Sequence, residues 1–414
     1  LLATMGERER HHVEIKDTPI TYERPLFTKE MKKTHTLLSP QMSPIHFRFV
    51  EAALRYSGFN VVVLPDTDFK AVDEGLKYVN NDACYPSILV VGQVIKALKS
   101  GLYDPQNTSC LITQTGGGCR ATNYVGFLRK ALKESGFGQV PVIPLSVQRF
   151  EKHPGMDLDM KTLNGALQAL LYGDVLMRVL YRVRPYEAIK GSANALYESL
   201  TEKIIKDLKD PTIKSFNDNI RLIIKQFDEL ETVDVVKPKV GLVGEILVKF
   251  HPTANNSVVN IIEDNGCEAV MPDLVDFFLY CSYNNVAKRE YLGGSLGKAL
   301  GSRAAIGIIE AYRKTMRTEL EKSVRFHPPA RIEHLAEITK DVVQIGNQTG
   351  EGWFLTGEML ELIEEGVENI ICMQPFACLP NHITGKGVIK KLREENKDVN
   401  ITAIDYDPGA SEVN

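Results

Sequence analysis

The chain contains 414 residues, of which 43% are hydrophobic and 25% are charged, and its net charge is −4. This hydrophobic content supports packed cores and excludes a disordered chain, and the length favours two α/β units with inserted helices. The slightly acidic balance gives no electrostatic reason to expect a nucleic-acid partner. No apolar run approaches the roughly 18 residues that a membrane span needs, so we expect no membrane partner.

The two ends of the chain and its cysteine count bear on its origin and compartment. Residues 1–34 are charge-rich and weakly periodic, which predicts a surface lead-in. The chain begins at Leu1 without an initiator Met or a secretory pattern, and it ends shortly after a strand-like run, so we expect a piece of a longer polypeptide. Seven cysteines are an odd number and do not suggest a disulfide scaffold, which favours the reducing cytoplasm.

Short apolar runs alternate with helical stretches in the first third of the chain. Four such runs predict buried strands: residues 35–38, 60–64, 109–113 and 140–145. Apolar runs separated by helices of about ten to fifteen residues are typical of a parallel, doubly wound sheet. We therefore predict a first α/β lobe over residues 35–150.

The pattern then changes to helix and back to strand. Over residues 151–235 the apolar side chains keep helical spacing, which predicts a helical segment. After Pro238 the strand pattern returns, which predicts a second α/β lobe over residues 236–414. A second helical block is expected within it, at about 274–320. Further strands of this lobe are expected near Ala269, Val342, Ile370 and residues 401–404.

Two of the cysteines occupy a repeated setting. Cys84 belongs to an Ala-Cys-Tyr-Pro sequence and Cys378 to an Ala-Cys-Leu-Pro sequence. In both places seven residues separate the proline from a Val-Ile-Lys-x-Leu sequence. A proline two positions after the cysteine removes a competing backbone donor and fixes the start of a helix. The repeat therefore predicts two cysteines on loops that lead into helices.

A third cysteine, Cys119, lies in a glycine-rich turn. It follows Gly116, Gly117 and Gly118, which allow the backbone to approach a bulky inorganic ligand closely. A cysteine at a turn before a helix has its thiolate favoured by the helix N-terminus, and the thiolate is the form that binds a metal. We therefore expect the three loop cysteines to converge on one iron–sulfur cluster, although the compact C-x-x-C spacing of ferredoxins is absent. The same glycines would also suit an anion or a nucleotide, although they match neither common nucleotide fingerprint.

The remaining four cysteines fit a structural role, because small thiols are common in protein cores. They are Cys110, Cys267, Cys281 and Cys372. Lys386, between two glycines, is a weak candidate for a phosphate loop. His382 is a candidate metal ligand or proton relay, and the alternative is a helix-capping or surface histidine. Glu245 and His251 flank the end of a predicted strand, where open α/β sheets bind ligands, so they are acid/base candidates; ordinary loop polarity is the alternative.

Three motifs in combination resemble a known family. They read A-C-Y-P, G-G-G-C-R-A-T-N-Y and P-F-A-C-L-P-N-H, in this order along the chain. They look like the motifs of the 2-hydroxyacyl-CoA dehydratase family, which includes benzoyl-CoA reductase subunits and double-cubane-cluster proteins. More closely, the chain resembles the dehydratase-like C-terminal region of large fusion proteins called CoA-substrate-specific enzyme activase-related, in which ATPase activator modules come first. The resemblance extends from about Tyr22 to the C-terminus.

The resemblance implies two Rossmann-like parallel-sheet lobes joined by helices, with a 4Fe–4S cluster in the cleft between them. By motif, the ligands are Cys84, Cys119 and Cys378, and the fourth iron position is left for water, sulfide or substrate. The implied function is that of an oxygen-sensitive, anaerobic module. It takes low-potential electrons from an ATP-dependent activator, on the same polypeptide or a separate one, for radical dehydration or reduction of a substrate such as an acyl-CoA thioester.

Two alternatives to this function remain open. One is a small-molecule reductase in which the cluster is part of a double cubane, assembled with a second dehydratase-like module or as a homodimer. The other is a non-catalytic electron-relay or assembly module of a larger fusion protein. The residues do not choose among these, and no acyl-CoA pocket can be recognised in the sequence.

These interpretations predict a definite geometry. The sulfurs of Cys84 and Cys119 from the first lobe, and of Cys378 from the second, should lie roughly 6–7 Å apart around one cubane. No fourth cysteine shares their loop setting. We therefore expect one iron without a thiolate, facing the cleft near Glu245 and His382, the two predicted catalytic residues.

Overall fold

The structure is a computed structural model that describes Arg10 and residues 24–65, 69–80, 82–115, 117–146 and 151–409. Over these residues the chain is an α/β protein with two four-stranded parallel sheets, which confirms the predicted fold class. Within the same residues, no helix combines the length and the apolar character needed to cross a membrane.

The first sheet has the strand order β2-β1-β3-β4, and each neighbouring pair is parallel. Its strands are β1 (Thr36–Ser39), β2 (Val61–Val63), β3 (Thr108–Thr113) and β4 (Val142–Leu145). The helices of this part are α1 (Met31–Thr34), α2 (Pro44–Tyr56), α3 (Lys70–Leu76), α4 (Tyr85–Lys99) and α5 (Tyr124–Glu134). Strand β3 is buried at every position except its last, as expected for a strand covered on both faces.

The second sheet has the corresponding order β6-β5-β7-β8 and is also parallel throughout. Its strands are β5 (Lys239–Gly244), β6 (Glu268–Val270), β7 (Asn369–Pro375) and β8 (Asn400–Tyr406). Its helices include α9 (Ile246–Phe250), α10 (Val258–Asp264), α11 (Leu274–Leu292), α12 (Leu296–Lys322), α13 (Ile332–Thr339), α14 (Trp353–Glu364) and α15 (Ile389–Glu395).

Three helices connect the two sheets along the chain. They are α6 (Met160–Val183), α7 (Ser192–Asp207) and α8 (Ile213–Asp228). Helix α8 buries an apolar stripe that includes Ile220, Ile223 and Ile224, in agreement with the helical spacing in the sequence. The helices α11 and α12 pack against each other and against this connecting group.

The two lobes pack directly against each other. One hydrophobic core contains buried residues of both, among them Val94 from α4 and Leu242 from β5. A side-chain contact also crosses the boundary, since Nε2 of Gln93 lies 2.9 Å from Nε2 of His251. Because buried apolar and polar groups are shared, loops at the sheet ends of the two lobes are held in a fixed relation.

Two local expectations are wrong. Val342 lies in a turn after α13 instead of in a strand, and its N–H donates to the carbonyl of Thr339. The expected surface lead-in contains a core residue, since Phe27 is fully buried and its N–H donates to His153. Short apolar runs do not distinguish strands from turns that pack on a core. The residue limits of the domains stay predictions.

Candidate functional site

The three loop cysteines lie at corresponding ends of the two lobes. Cys84 immediately precedes α4, Cys119 follows β3, and Cys378 follows β7. All three are free thiols and half-buried. The carboxyl ends of parallel strands are the usual ligand-binding edge of an open α/β sheet, so their location agrees with a site.

Cys84 is held by the start of α4. Its backbone is extended, and Pro86 occupies the first turn of the helix, as the sequence predicted. Its Sγ lies 3.1 Å from the phenolic oxygen of Tyr124. Because Tyr124 is the first residue of α5, this contact links the thiol to the helix that follows the Cys119 turn.

The Cys119 turn is tied to the Cys84 loop by a guanidinium group. Arg120 donates to the backbone carbonyls of Asp82 and Ala83, just before Cys84. The Cys119 Sγ accepts a weak hydrogen bond from the N–H of Ala121, at 3.5 Å. The two first-lobe thiols therefore belong to one connected unit.

The glycines before Cys119 behave differently from one another. Gly116 lies outside the described residues. A Cβ at Gly117 would meet no atom within 4 Å, and one at Gly118 would come only within ordinary contact of Thr349, at 3.6 Å. Contacts within the chain thus do not require glycine at these two positions, and the binding of a ligand there stays a prediction.

Cys378 follows a constrained turn. Ala377 has a φ of 57°, which is unusual for a residue with a side chain. Such conformations cost free energy and concentrate at functional sites. A π-helical turn, Asn381–Gly385, follows the cysteine, and the amide of Asn381 donates to the Cys378 Sγ at 3.3 Å.

Glu245 lies between the two lobes. It follows β5 and caps α9, since its side chain accepts from the N–H of Val248 at 2.8 Å. It also lines a cavity of about 80 Å³ together with residues at the ends of β1 and β3 and with Tyr124. Burial, and then the negative charge of Glu351, raise the pKa of Glu245 to about 8. A carboxyl group of this kind is protonated near neutral pH and is able to give up a proton.

Glu351 was not predicted from the sequence. It is buried between Gly350 and Gly352, and burial raises its pKa. Both glycines have positive φ, and a Cβ at Gly352 would lie 2.1 Å from the carbonyl oxygen of Asn347. The signal available in the sequence was the Gly-Glu-Gly run before an apolar helix, because two closely spaced glycines around an acid indicate a constrained, functional loop.

Burial and the two carboxylates, Glu245 and Glu351, raise the pKa of the three loop thiols. Burial is the main cause that raises the pKa of all three thiols. The pKa of Cys84 is raised to about 12 and that of Cys119 to about 11, and the increase is largest for Cys378. The charge of Glu245 contributes to all three increases, and that of Glu351 contributes at Cys119 and Cys378. Thiols from both lobes therefore experience the charge of the same buried acids.

Backbone N–H groups at the helix starts lower the pKa of each thiol, in the expected direction. Helix N-termini were expected to favour the thiolate, but in the chain without metal burial and the neighbouring acids outweigh that effect. Thiols of this kind lose their protons only when a cation takes the place of the protons.

The common strand order of the sheets reveals which positions correspond. Cys119 follows β3 and Cys378 follows β7, the third strand of each lobe in chain order. Cys84 begins the helix before β3, whereas Glu351 lies just before α14, the helix before β7. The repeated Ala-Cys-x-Pro sequences therefore occupy different topological positions, and Glu351 is the counterpart of Cys84.

His382 and His251 are not placed beside Glu245 in the cavity. Nδ1 of His382 lies 2.8 Å from the carbonyl oxygen of Cys378, and its Nε2 lies 3.6 Å from Asp405. His251 is fully buried and contacts Gln93. Lys386 is exposed and lies 3.4 Å from Asp405. These contacts agree with structural roles for the two histidines.

The other four cysteines divide into two groups. Cys110 and Cys372 are fully buried in strands, which confirms the prediction of core thiols. The prediction is wrong for Cys267, which is half-buried, and for Cys281, which is exposed. Part of the Cys281 side chain reaches solvent, but the protein atoms packed around it reduce its solvation. That loss, and then the charge of Glu351, raise the pKa of the Cys281 thiol to about 12.

Across the part of the chain that the structure describes, no group of three His, Cys, Asp or Glu side chains is arranged to hold a single metal ion. The ligands of a cubane bind different irons and are farther apart than those of one ion. Neither the scan against protein-family models nor the search of curated proteins finds a match for this chain.

Proposed function

We propose that this chain is an iron–sulfur module of the 2-hydroxyacyl-CoA dehydratase type, in which Cys84, Cys119 and Cys378 hold one 4Fe–4S cluster. The observation that carries the proposal is that the loops of three free thiols, from both lobes, contact one another. Arg120 links the Cys84 and Cys119 loops. Gly350 lies against both the Cys119 Sγ and Pro380, two residues after Cys378. Core thiols would not be expected to gather from three separate loops at the ligand-binding edges of two sheets.

The donor set fits such a cluster. Three half-buried thiols supply soft ligands, and two buried acids, Glu245 and Glu351, lie beside them without a salt bridge among the described residues. When bound, a cluster with one iron free of thiolate supplies one-electron transfer and a position at which a ligand is exchanged.

The protein groups around the cavity would orient the substrate and supply a proton. Glu245 faces the cavity between the lobes, and Tyr124 and Leu247 line the same space. Most of this lining is apolar. Burial, and then the charge of Glu351, raise the pKa of Glu245 to about 8, so its carboxyl stays protonated near neutral pH. Glu245 would therefore hold the proton that a departing or reduced oxygen of the substrate requires.

The substrate and partners belong to the proposal as well. An acyl-CoA thioester is proposed as the substrate, and an ATP-dependent activator as the electron donor. Phe376, Leu379 and Ile383 are large, exposed apolar side chains within five residues of Cys378. Exposed apolar clusters of this kind mark contact surfaces, so we place the electron donor there. In a double variant with Phe376→Ser and Ile383→Ser, reduction of the cluster by the activator should be slower. Reduction by methyl viologen radical should proceed at the wild-type rate. If both reductions slow equally, the electron donor does not bind at this surface.

Anaerobic reconstitution tests the cluster directly. Iron and acid-labile sulfide should be counted, and the reduced protein should show the EPR signal of a single cubane, whereas a double cubane would bind about twice the iron. Cys84→Ser, Cys119→Ser and Cys378→Ser should each lose cluster, and Cys110→Ser should not. A wild-type chain without iron after reconstitution would contradict the proposal.

A second candidate is an electron relay with a cluster closed by a fourth protein thiol. The observation that favours it is the location of Cys281, whose thiol is affected by the charge of Glu351. A cluster with four thiolates mostly passes electrons on and does not bind substrate. Cys281→Ser distinguishes the two functions, because the relay would lose its cluster and the dehydratase-type site would keep it.

A further inference from the structure

Glu351 is a buried acid without a cation partner. Its residue surface is only 6% exposed, and among the described lysines, arginines and histidines none forms a salt bridge with it. The buried cation Lys249, whose charge acts on Glu351, is instead paired with Glu358 at 2.6 Å. The two carboxylate oxygens of Glu351 accept hydrogen bonds from the N–H of Ile246 at 3.2 Å and, more weakly, from the amide of Asn381 at 3.5 Å. A carboxylate has about four acceptor positions, so this one retains capacity for a metal.

The loop of Glu351 lies between two of the thiols. The amide of Asn381 donates to both the Cys378 Sγ and the Glu351 carboxylate. On the other side, a Cβ at Gly350 would lie 4.0 Å from the Cys119 Sγ and 2.8 Å from Pro380. Glycine at this position, with a φ of 59°, is what allows the acid to enter the space between the thiol loops.

The topology supplies an independent argument. In each lobe, one helix precedes the third strand in chain order. In the first lobe Cys84 lies at the start of that helix, and in the second lobe Glu351 lies just before it. Cys119 and Cys378 are a corresponding pair as well. The two lobes thus present four corresponding positions, three with a thiol and one with a carboxyl group.

We propose that Glu351 is the fourth protein ligand of the cluster and binds, through a carboxylate oxygen, the iron that carries no thiolate. The inference rests on the proposed function. A carboxylate oxygen is a harder ligand than a thiolate and is more readily replaced by another oxygen, so this iron keeps its ability to exchange ligands. One iron–oxygen bond breaks when another forms, and no electron is transferred in that exchange.

The test follows the unique iron in the reconstituted full chain. Glu351→Gln removes the charged ligand and Glu351→Cys replaces it with a thiolate. Glu364→Gln is the control, an acid on α14, the helix after Glu351, that is half exposed and pairs with His334. During mild oxidation, EPR measures how fast the cluster loses one iron and becomes a three-iron cluster. Mössbauer spectra show whether one iron differs from the other three.

The unique iron should leave Glu351→Gln about tenfold faster than the wild type, and Glu364→Gln should match the wild type. In Glu351→Cys the loss should be slower, and the four irons should become alike. Equal rates and unchanged Mössbauer spectra in all variants would overturn the inference while leaving the cluster in place. A wild type that binds no iron would instead contradict the proposed function. If Glu351→Gln does not fold, Glu351→Cys decides alone.

Discussion

The phenolic oxygen of Tyr124 lies 3.1 Å from the Sγ of Cys84. Tyr124 begins the helix that follows the Cys119 turn, so one side chain joins the elements that carry two candidate ligands. A hydroxyl group donates to a thiolate and stabilises its negative charge. The contact therefore affects both the geometry of the site and its electrostatics.

Tyr124→Phe should lower the reduction potential of the reconstituted cluster, because hydrogen bonds to the sulfurs stabilise the more negative reduced form. The free energy of unfolding should fall by about 1 kcal/mol. Tyr172→Phe is the control, since its buried hydroxyl accepts from Asn219 away from the thiols. A redox titration monitored by EPR measures the potential, and an equal change in both variants would argue against the role of Tyr124.

Arg120→Ala should weaken cluster retention while leaving the fold intact. The guanidinium group joins the Cys119 turn to the carbonyls of Asp82 and Ala83, and charged hydrogen bonds contribute about 1.5–3 kcal/mol when well formed. Since the guanidinium group is partly exposed, we expect its hydrogen bonds to contribute a free energy at the lower end of this range. Iron content after gel filtration is the measurement. Arg221→Ala, an exposed arginine on α8, should retain iron as the wild type does.

Gly352→Ala should destabilise the chain by about 1–3 kcal/mol, because its φ is 48° and the new Cβ would collide with the Asn347 carbonyl. Gly301→Ala provides the contrast. It lies in α12, its Cβ would meet open space, and the change should stabilise the helix by up to about 1 kcal/mol. Urea unfolding of both variants measures the difference, and similar values for the two would be inconsistent with a strained Glu351 loop.

The stability of the chain without metal should fall as the pH rises from about 5 to 8. Burial, and then the charges of Asp276 and Glu365, raise the pKa of Glu361 from 4.5 to about 8. Between these values the folded chain keeps a proton that the unfolded chain has released, so a higher pH favours unfolding. Glu361→Gln should increase the free energy of unfolding at pH 8, by up to a few kcal/mol, and not at pH 5.

Glu364→Gln is the matched control for this pH dependence, because Glu364 lies on the same helix and is half exposed. It should change stability little at either pH. Urea unfolding at the two pH values is the measurement. If the free energy of unfolding at pH 8 increases no more in Glu361→Gln than in Glu364→Gln, Glu361 does not cause the pH dependence.

Single changes of the four other cysteines to serine should leave the cluster in place. They are Cys110, Cys267, Cys281 and Cys372. Cys281→Ser is the most informative, because this thiol is exposed and lies near Glu351. The measurement is the iron and sulfide content of each variant, compared with that of Cys84→Ser. If Cys281→Ser loses iron and sulfide as completely as Cys84→Ser does, Cys281 is a fourth thiolate ligand of the cluster.

Much of the fold followed from local sequence. The run at 109–113 predicted β3, and the return of apolar residues after Pro238 predicted β5, because strands buried on both faces are continuous apolar runs. The helix start at Pro86 followed from the restricted φ of proline. Val342 shows the limit, since a short apolar run also suits a turn that packs on a core.

The cysteine loops and the acid Glu245 were recognisable by residue type and neighbours, whereas their mutual arrangement was not. The sequence repeat suggested that Cys84 and Cys378 correspond, but the strand order pairs Cys378 with Cys119. The cluster itself stays a prediction. Thiol pKa values also depend on burial and on acids that are far away in the sequence, and these outweigh the effect of the helix N-terminus.

The sequence by itself determined the fold class, since the periodicity of apolar residues reflects local backbone geometry and one buried face per element. It also determined which cysteines lie on loops, because Pro and Gly restrict the backbone locally. Only the tertiary structure decided that Glu351 and Glu245 lie together beside these thiols, and that Cys281 is exposed nearby. Those relations join residues more than 100 positions apart through packing between lobes, and no local pattern in a single sequence records such contacts.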